Sequence, residues 1–108
     1  MIPFFKKHDI NTGLQEYLNT PNAVLVDVRE LEEYNNGYIP GSRNIPLSTI
    51  QQIKLEKDRP LFLYCLRGSR SLRAAGILKK MGYTHVKSIG GINRYTEKIS
   101  VGTQHDIK

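Results

Sequence analysis

The chain of 108 residues contains a single cysteine, no tryptophan and no long apolar run. One cysteine, Cys65, excludes an internal disulfide, a CxxC redox pair and a zinc site built from several thiolates. No apolar stretch approaches the roughly 20 residues of a membrane-spanning helix, and the N-terminus has none long enough for a signal peptide. These absences predict a cytoplasmic chain that does not enter a membrane, although a mature chain whose signal peptide had been removed would show the same pattern.

The charge balance is strongly basic, with a formal net charge of +6 and a pI near 9.6. Such a balance predicts attraction of anions. The basic residues are scattered rather than clustered with aromatic side chains, so we expect no nucleic-acid binding. The length suits one compact core, and the apolar content of 39% is typical of a globular protein. We expect a single domain over residues 1–101 and a flexible tail over residues 102–108.

Short apolar segments alternate with helical patterns along the chain. The predicted strands cover residues 23–28, 61–65 and 86–89, the last closed by Gly90 and Gly91. The predicted helices cover residues 31–34, 47–53, 69–81 and 92–99, with a further helix that begins at Asp9 or Asn11 and carries Leu14, Tyr17 and Leu18. In the helix of residues 69–81, which Gly82 ends, we expect the inner side to carry Leu72, Ala75, Gly76 and Leu78. This alternation predicts an α/β fold, a small and mostly parallel sheet with helices on both faces.

Cys65 lies where a parallel sheet binds its ligands, at the carboxyl end of a strand and just before a helix. A thiol is a nucleophile only as thiolate, and a free thiol has a pKa of about 8.5. Loop amides, the helix N-terminus and the charges of Arg67 and Arg70 would favour the anionic sulfur. Gly68 permits a tight turn. Ser69 and Ser71 are expected to cap the helix, with a hydrogen bond to sulfur as the bolder alternative.

The commonest role of a lone cysteine is that of a small buried hydrophobe. Two arginines, a glycine and a helix start within five residues favour a functional site instead, because an inert cysteine needs none of them. His8, His85 and His105 are expected at the surface, away from Cys65. Arg70 follows Cys65 after four intervening residues, one fewer than in cysteine phosphatases. The shorter loop favours sulfur chemistry, while a phosphatase or arsenate reductase stays open as an alternative.

Several ordered motifs then point to one family. They are residues 26–30 followed by Glu33 and Tyr34, residues 37–46 (Gly-Tyr-Ile-Pro-Gly-Ser-Arg-Asn-Ile-Pro), the loop of residues 65–70, and Gly90-Gly91-Ile92 followed by Tyr95. Together they resemble the rhodanese family of sulfurtransferases over nearly the whole chain. Tyr38, Ser42 and Tyr95 replace the histidine, alanine and tryptophan usual in the family, and we expect these changes to affect packing or hydrogen bonding.

The resemblance implies a sulfur-transfer cycle on Cys65. A small anionic donor such as thiosulfate would leave its sulfane sulfur on Cys65 as a persulfide, and cyanide or a thiol, of a small molecule or a protein, would remove it. No metal or organic cofactor is implied. The substrate-binding residues would be those of the loop, Leu66, Arg67, Gly68, Ser69, Arg70 and Ser71. A persulfide carrier that does not turn over small donors is the second alternative, and the oligomeric state is not predicted.

Charged residues near the first strand are expected to be structural rather than catalytic. Asp27 and Arg29 at its end are expected to form an ion pair or a backbone anchor. Glu30, Glu32 and Glu33 are expected to form a solvated first helical turn that the helix dipole favours.

Overall fold

The structure, a computed structural model, describes residues 9–101. Its helices are α1 (Ile10–Leu18), α2 (Leu31–Asn35) and α3 (Ser69–Lys80), with 3₁₀ helices at Leu47–Gln52 and Ile92–Arg94. Its strands are β1 (Val24–Asp27), β2 (Arg43–Asn44), β3 (Leu61–Cys65) and β4 (Val86–Gly91). The expected tail of residues 102–108, and also His8 and His105, lie outside the described residues.

The four strands form one parallel sheet in the order β2-β1-β3-β4. Every residue of β1 and β3 is buried, as expected of central strands with both faces covered. Side chains therefore alternate between two apolar layers along each strand. Parallel strands end at the same edge of the sheet, so the carboxyl end of β1 lies beside Cys65 at the end of β3.

Each face of the sheet has its own core. One face, which includes Val26, Leu63 and Cys65, packs against α3 and the first 3₁₀ helix. The other face, which includes Leu25 and Phe62, packs against α1. The predicted fold class, an α/β domain with helices on both faces of a small parallel sheet, is confirmed.

Local signals explain where the helices begin and end. The Asp9 carboxylate caps α1 by accepting hydrogen bonds from the backbone N–H groups of Asn11 and Thr12, at 3.1 and 3.3 Å. Gly82 follows α3 with a φ of +104°, a left-handed conformation that favours glycine. No helix within residues 9–101 has both the length and the apolar character needed to cross a membrane.

The structure differs from the sequence predictions in several details. The short helix predicted over residues 47–53 is present as the 3₁₀ helix Leu47–Gln52, whereas the helix predicted over residues 92–99 is only the 3₁₀ turn Ile92–Arg94. Strand β4 continues through Gly90 and Gly91 rather than stopping before them, and the short strand β2 was not predicted. In α3 the buried residues are Ser71, Ala74, Ala75 and Leu78. Leu72, predicted to lie inside, is 68% exposed, and Gly76 is exposed as well.

Candidate active site

The Cys65 thiol lies at the base of the loop that joins β3 to α3, and the residue is only 1% exposed. Its Sγ accepts hydrogen bonds from the backbone N–H groups of Gly68, at 3.0 Å, and Ser71, at 3.4 Å. The Ser71 N–H belongs to the first turn of α3, whose positive dipole end therefore faces the sulfur. These groups favour negative charge on the sulfur.

Gly68 determines how the loop returns to the helix. It is the N-cap of α3, with a φ of +111° that a residue with a side chain rarely adopts. No side chain caps this helix, so the expected capping by Ser69 or Ser71 was wrong. Ser71 is instead buried with its Oγ 3.7 Å from the Cys65 Sγ. From the sequence, this contact with sulfur was considered less usual for Ser71 than helix capping.

The backbone of β4 and the turn that follows it hold the other side of the loop. The Asn93 N–H donates to the Leu66 carbonyl at 3.1 Å. A Cβ added at Gly91 would overlap the Leu66 carbonyl oxygen and would lie 2.6 Å from the Arg67 Cα. The absence of a side chain at Gly91 therefore allows β4 to contact the Cys65 loop. The sequence showed Gly91 as part of a Gly-Gly motif but did not predict this contact.

Arg70 is bound by Glu33 of α2. Its Nη1 and Nη2 donate to Oε1 and Oε2 at 2.8 and 3.0 Å, and each side chain of the pair is 33% exposed. The hydrogen bonds from Arg70 hold the pKa of Glu33 well below its usual range, at about 2, with help from the Glu30 N–H. The same hydrogen bonds raise the pKa of Arg70. Glu33 lies in the first turn of α2, as expected, but it is half-buried and paired with Arg70 rather than solvated.

Arg67 is the more accessible cation of the loop. Its side chain is exposed and makes no ion pair or hydrogen bond within residues 9–101. Together with Gly68 and Ser69 it lines a groove of about 520 Å³ that follows the edge of β4. Ser69 is exposed, whereas Leu66 and Gly68 are half-buried.

A buried polar network lies at the carboxyl end of β1. Arg29 donates through Nε and Nη2 to the Asp27 carboxylate, at 2.7 Å for the shortest bond, and also to the Gly37 carbonyl. Burial alone would lower the pKa of Arg29, but its hydrogen bonds and proximity to Asp27 raise it. The expected ion pair between Asp27 and Arg29 is confirmed. Burial also raises the pKa of Tyr64, whose hydroxyl lies 3.0 Å from the Ser42 Oγ.

The residues that depart from the motif lie in packed positions. The Tyr38 ring is buried and stacks on Tyr34, with ring centroids 4.2 Å apart. Ser42 is buried in the network described above. The Tyr95 hydroxyl donates to the Lys98 carbonyl at 3.2 Å. None of the three has a hydrogen bond to Cys65 within the described part of the chain.

The loop thus brings six predicted residues, Leu66, Arg67, Gly68, Ser69, Arg70 and Ser71, around or beside Cys65. Of these, Gly68 and Ser71 contact the sulfur directly. His85 is exposed and bonded to Thr84 rather than to the thiol. Between residues 9 and 101 no group of three or more His, Cys, Asp and Glu side chains is placed to hold a metal ion.

Comparison with known proteins gives consistent results. The sequence model of the family described as Rhodanese-like domain matches residues 11–98. The chain is 46% identical over 80 residues to uncharacterized protein YqhL of Bacillus subtilis, an alignment that covers 71% of this chain and 64% of that relative. It is 37% identical over 71 residues to thiosulfate sulfurtransferase PspE of Escherichia coli, and this alignment covers 62% of this chain and 68% of that protein.

A solved structure shares the architecture. The structure described as a rhodanese with anions from E. coli superposes with a TM-score of 0.68 at 32% identity, covering 74% of this chain and 99% of that one. The chain spans less than two thirds of the length of the B. subtilis relative.

Proposed function

The chain belongs to the rhodanese-like domain family, and from that membership we propose that it is a sulfurtransferase that carries sulfur as a persulfide on Cys65. The main support for this proposal is the set of hydrogen-bond donors around the Cys65 Sγ. Two backbone N–H groups at the start of α3 donate to it, at 3.0 and 3.4 Å. Donors fixed by the backbone stabilise an anion without reorganising during the reaction.

The proposed first step is attack of the Cys65 thiolate on the outer sulfur of thiosulfate. A new S–S bond forms to Cys65, the S–S bond of the donor breaks, and sulfite leaves with the electron pair of that bond. The enzyme then carries a persulfide anion, so the total charge of the reactants is kept. Splitting the transfer into two such steps is nucleophilic covalent catalysis.

The proposed second step returns the enzyme to its thiolate. Cyanide attacks the outer persulfide sulfur and leaves as thiocyanate, or a thiol takes the sulfur as a new persulfide, and Cys65 regains the bonding electrons. Cys65 is the only cysteine of the chain. The persulfide therefore cannot close into an internal disulfide, and the acceptor is a separate small molecule or protein. This chemistry needs no cofactor. It does need Cys65 as a reduced thiol, and the cytoplasm is a compartment that keeps thiols reduced.

Thiosulfate is the proposed donor because the accessible charge of the loop is positive. Arg67 is an exposed residue of the loop, and the chain has an overall charge of +6. Both attract a dianion. The similarity to a protein named thiosulfate sulfurtransferase supports the same choice.

Steady-state assays with cyanide as acceptor test the proposed cycle. We expect thiocyanate formation from thiosulfate, slower turnover with 3-mercaptopyruvate, parallel double-reciprocal lines when donor and cyanide are varied, and no activity in Cys65→Ser. A preference for 3-mercaptopyruvate would contradict the choice of donor. Sulfur loading without multiple turnover would identify a carrier, and Cys65-dependent hydrolysis of an aryl phosphate would favour a phosphatase.

A further inference from the structure

Ser88 of β4 is joined to the thiol through Ser71. Its Oγ lies 2.7 Å from the Ser71 Oγ, and that oxygen lies 3.7 Å from the Cys65 Sγ. Side chains alternate along a strand, so Ser88 projects to the same side as Val86, which packs in the core beneath α3. Ser88 also lines the groove beside the loop. Its place beside the thiol could not be predicted from the sequence, because a serine in an apolar strand belongs to no motif.

The Ser71 hydroxyl has one hydrogen and several possible partners. Its Oγ lies 3.0 Å from the Gly68 carbonyl oxygen, in addition to its contacts with Ser88 and Cys65. When Cys65 is a thiol, the S–H can donate to the Ser71 oxygen while Ser71 donates to the Gly68 carbonyl. When Cys65 is a thiolate, the sulfur only accepts, and the Ser71 hydrogen must turn from the carbonyl to the sulfur.

That rotation is favoured if another hydroxyl donates to the Ser71 oxygen. Ser88 is placed to do so at 2.7 Å, a short hydrogen bond between hydroxyls. A hydroxyl that accepts one hydrogen bond becomes a stronger donor in the next, since bonds in a chain polarise one another. The chain of hydrogen bonds would then run from Ser88 through Ser71 to the sulfur.

We propose that Ser88 is a positioning residue that directs the Ser71 hydroxyl toward the anionic Cys65 sulfur. The inference rests on the proposed function for its purpose, because stabilising an anionic sulfur matters only if Cys65 reacts. The hydrogen-bond chain itself does not depend on which donor supplies the sulfur. Ser88 makes no contact with substrate in this scheme and acts only through Ser71.

The charged groups on the elements around the thiol are separate from this chain. They are Arg67 of the loop, Arg70 of α3 with its partner Glu33 of α2, and Asp27 with Arg29 at the end of β1. No hydrogen bond or ion pair within residues 9–101 joins any of these five to Ser88. A substitution at Ser88 therefore changes the hydroxyl chain and leaves the charges in place.

The experiment is a pH titration of the thiolate, followed by its ultraviolet absorbance with the Cys65→Ser protein subtracted. We expect Ser88→Ala to move the midpoint upward by about half a pH unit, the effect of one ordinary hydrogen bond. Ser88→Thr keeps the hydroxyl and should retain the original midpoint. Ser48→Ala, the same change at an exposed position of the first 3₁₀ helix, should leave it unchanged.

Coupling to Ser71 distinguishes this role from a general effect on folding. In a Ser71→Ala background, Ser88→Ala should cause no further shift, because the group through which it acts is absent. An equal shift in both backgrounds, or no shift in Ser88→Ala alone, would overturn the proposal. If Ser71→Ala does not fold, equal midpoints in the wild type, Ser88→Ala and Ser88→Thr would overturn it. The titration uses no sulfur donor, so a coupled shift in a protein that takes no sulfur would support this inference while contradicting the proposed function.

Discussion

Arg70 and Glu33 form an ion pair with two hydrogen bonds, of 2.8 and 3.0 Å, that ties the start of α3 to α2. The guanidinium presents two parallel N–H donors whose spacing matches the two acceptor oxygens of the carboxylate. Arg70 therefore does not face the thiol as a free cation, and its charge is largely balanced. Its main effect is to fix the loop against α2, while Arg67 supplies the accessible positive charge.

Replacing Glu33 with Gln should make the free energy of unfolding less dependent on pH in the acidic range. The pKa of Glu33 is held at about 2 in the folded chain, below its ordinary value of about 4.3. The ion pair therefore contributes fully to the free energy of unfolding above about pH 5, and this contribution is lost as the pH falls from there to about 2. We expect urea unfolding to show Glu33→Gln less stable by about 1 kcal/mol at neutral pH, a value reduced by the partial exposure of the pair. The stabilities of the wild type and Glu33→Gln should become equal as the pH approaches about 2. A difference in stability that does not change with pH would contradict this prediction.

The two loop arginines should behave differently when each is replaced by alanine. Arg67→Ala should raise the KM for thiosulfate roughly severalfold with little change in kcat, because it removes attraction of the donor. Arg70→Ala should instead lower the melting temperature. Arg73→Ala removes the same charge from an exposed position of α3 and serves as the control. An equal rise in KM for Arg67→Ala and Arg73→Ala would show that only net charge matters.

Gly91→Ala should impair activity through the backbone of the loop. The φ of Gly91 is −123°, which alanine adopts freely, so the defect is the overlap of the new Cβ with Leu66 and Arg67. Displacing the loop should reduce turnover about tenfold or more. Gly76→Ala is the control, since its Cβ would meet nothing within 4 Å in the exposed part of α3. It should raise stability by about 0.5–1 kcal/mol and leave turnover intact, while full activity in Gly91→Ala would refute the close contact.

Arg29→Met should strongly destabilise the fold. It leaves the fully buried Asp27 carboxylate without its partner, at a cost of about 3–5 kcal/mol. The comparison is Lys87→Met, which breaks the exposed pair between Lys87 and Glu16 and should cost less than about 1 kcal/mol. Urea unfolding of both variants measures the difference. Similar losses in the two would contradict the structural role of the buried pair.

The sequence predicted the framework of the site well because its signals are local. The apolar segment Leu61–Cys65 forms the strand as predicted, and α3 begins at Ser69 as expected. The placement of Leu72 was wrong because hydrophobic periodicity ignores polar residues. Ser71 occupies the inner side of the helix, where it meets the sulfur, and Leu72 is consequently turned outward.

Contacts between distant segments could not be predicted in this way. Glu33 and Arg70 are separated by 37 positions, and Ser71 and Ser88 by 17. A partial signal existed, since the ends of parallel strands meet at one edge and place the segment after β1 beside the Cys65 loop. Which side chains pair at that edge depends on the final packing.

Intact mass measurement after treatment with thiosulfate tests the central claim most directly. The wild-type chain should gain the mass of one sulfur atom, lose it on addition of cyanide, and yield an equal amount of thiocyanate. Cys65→Ser should gain nothing. A wild-type chain without added mass, or a Cys65→Ser chain that gains the same mass, would contradict a persulfide on Cys65.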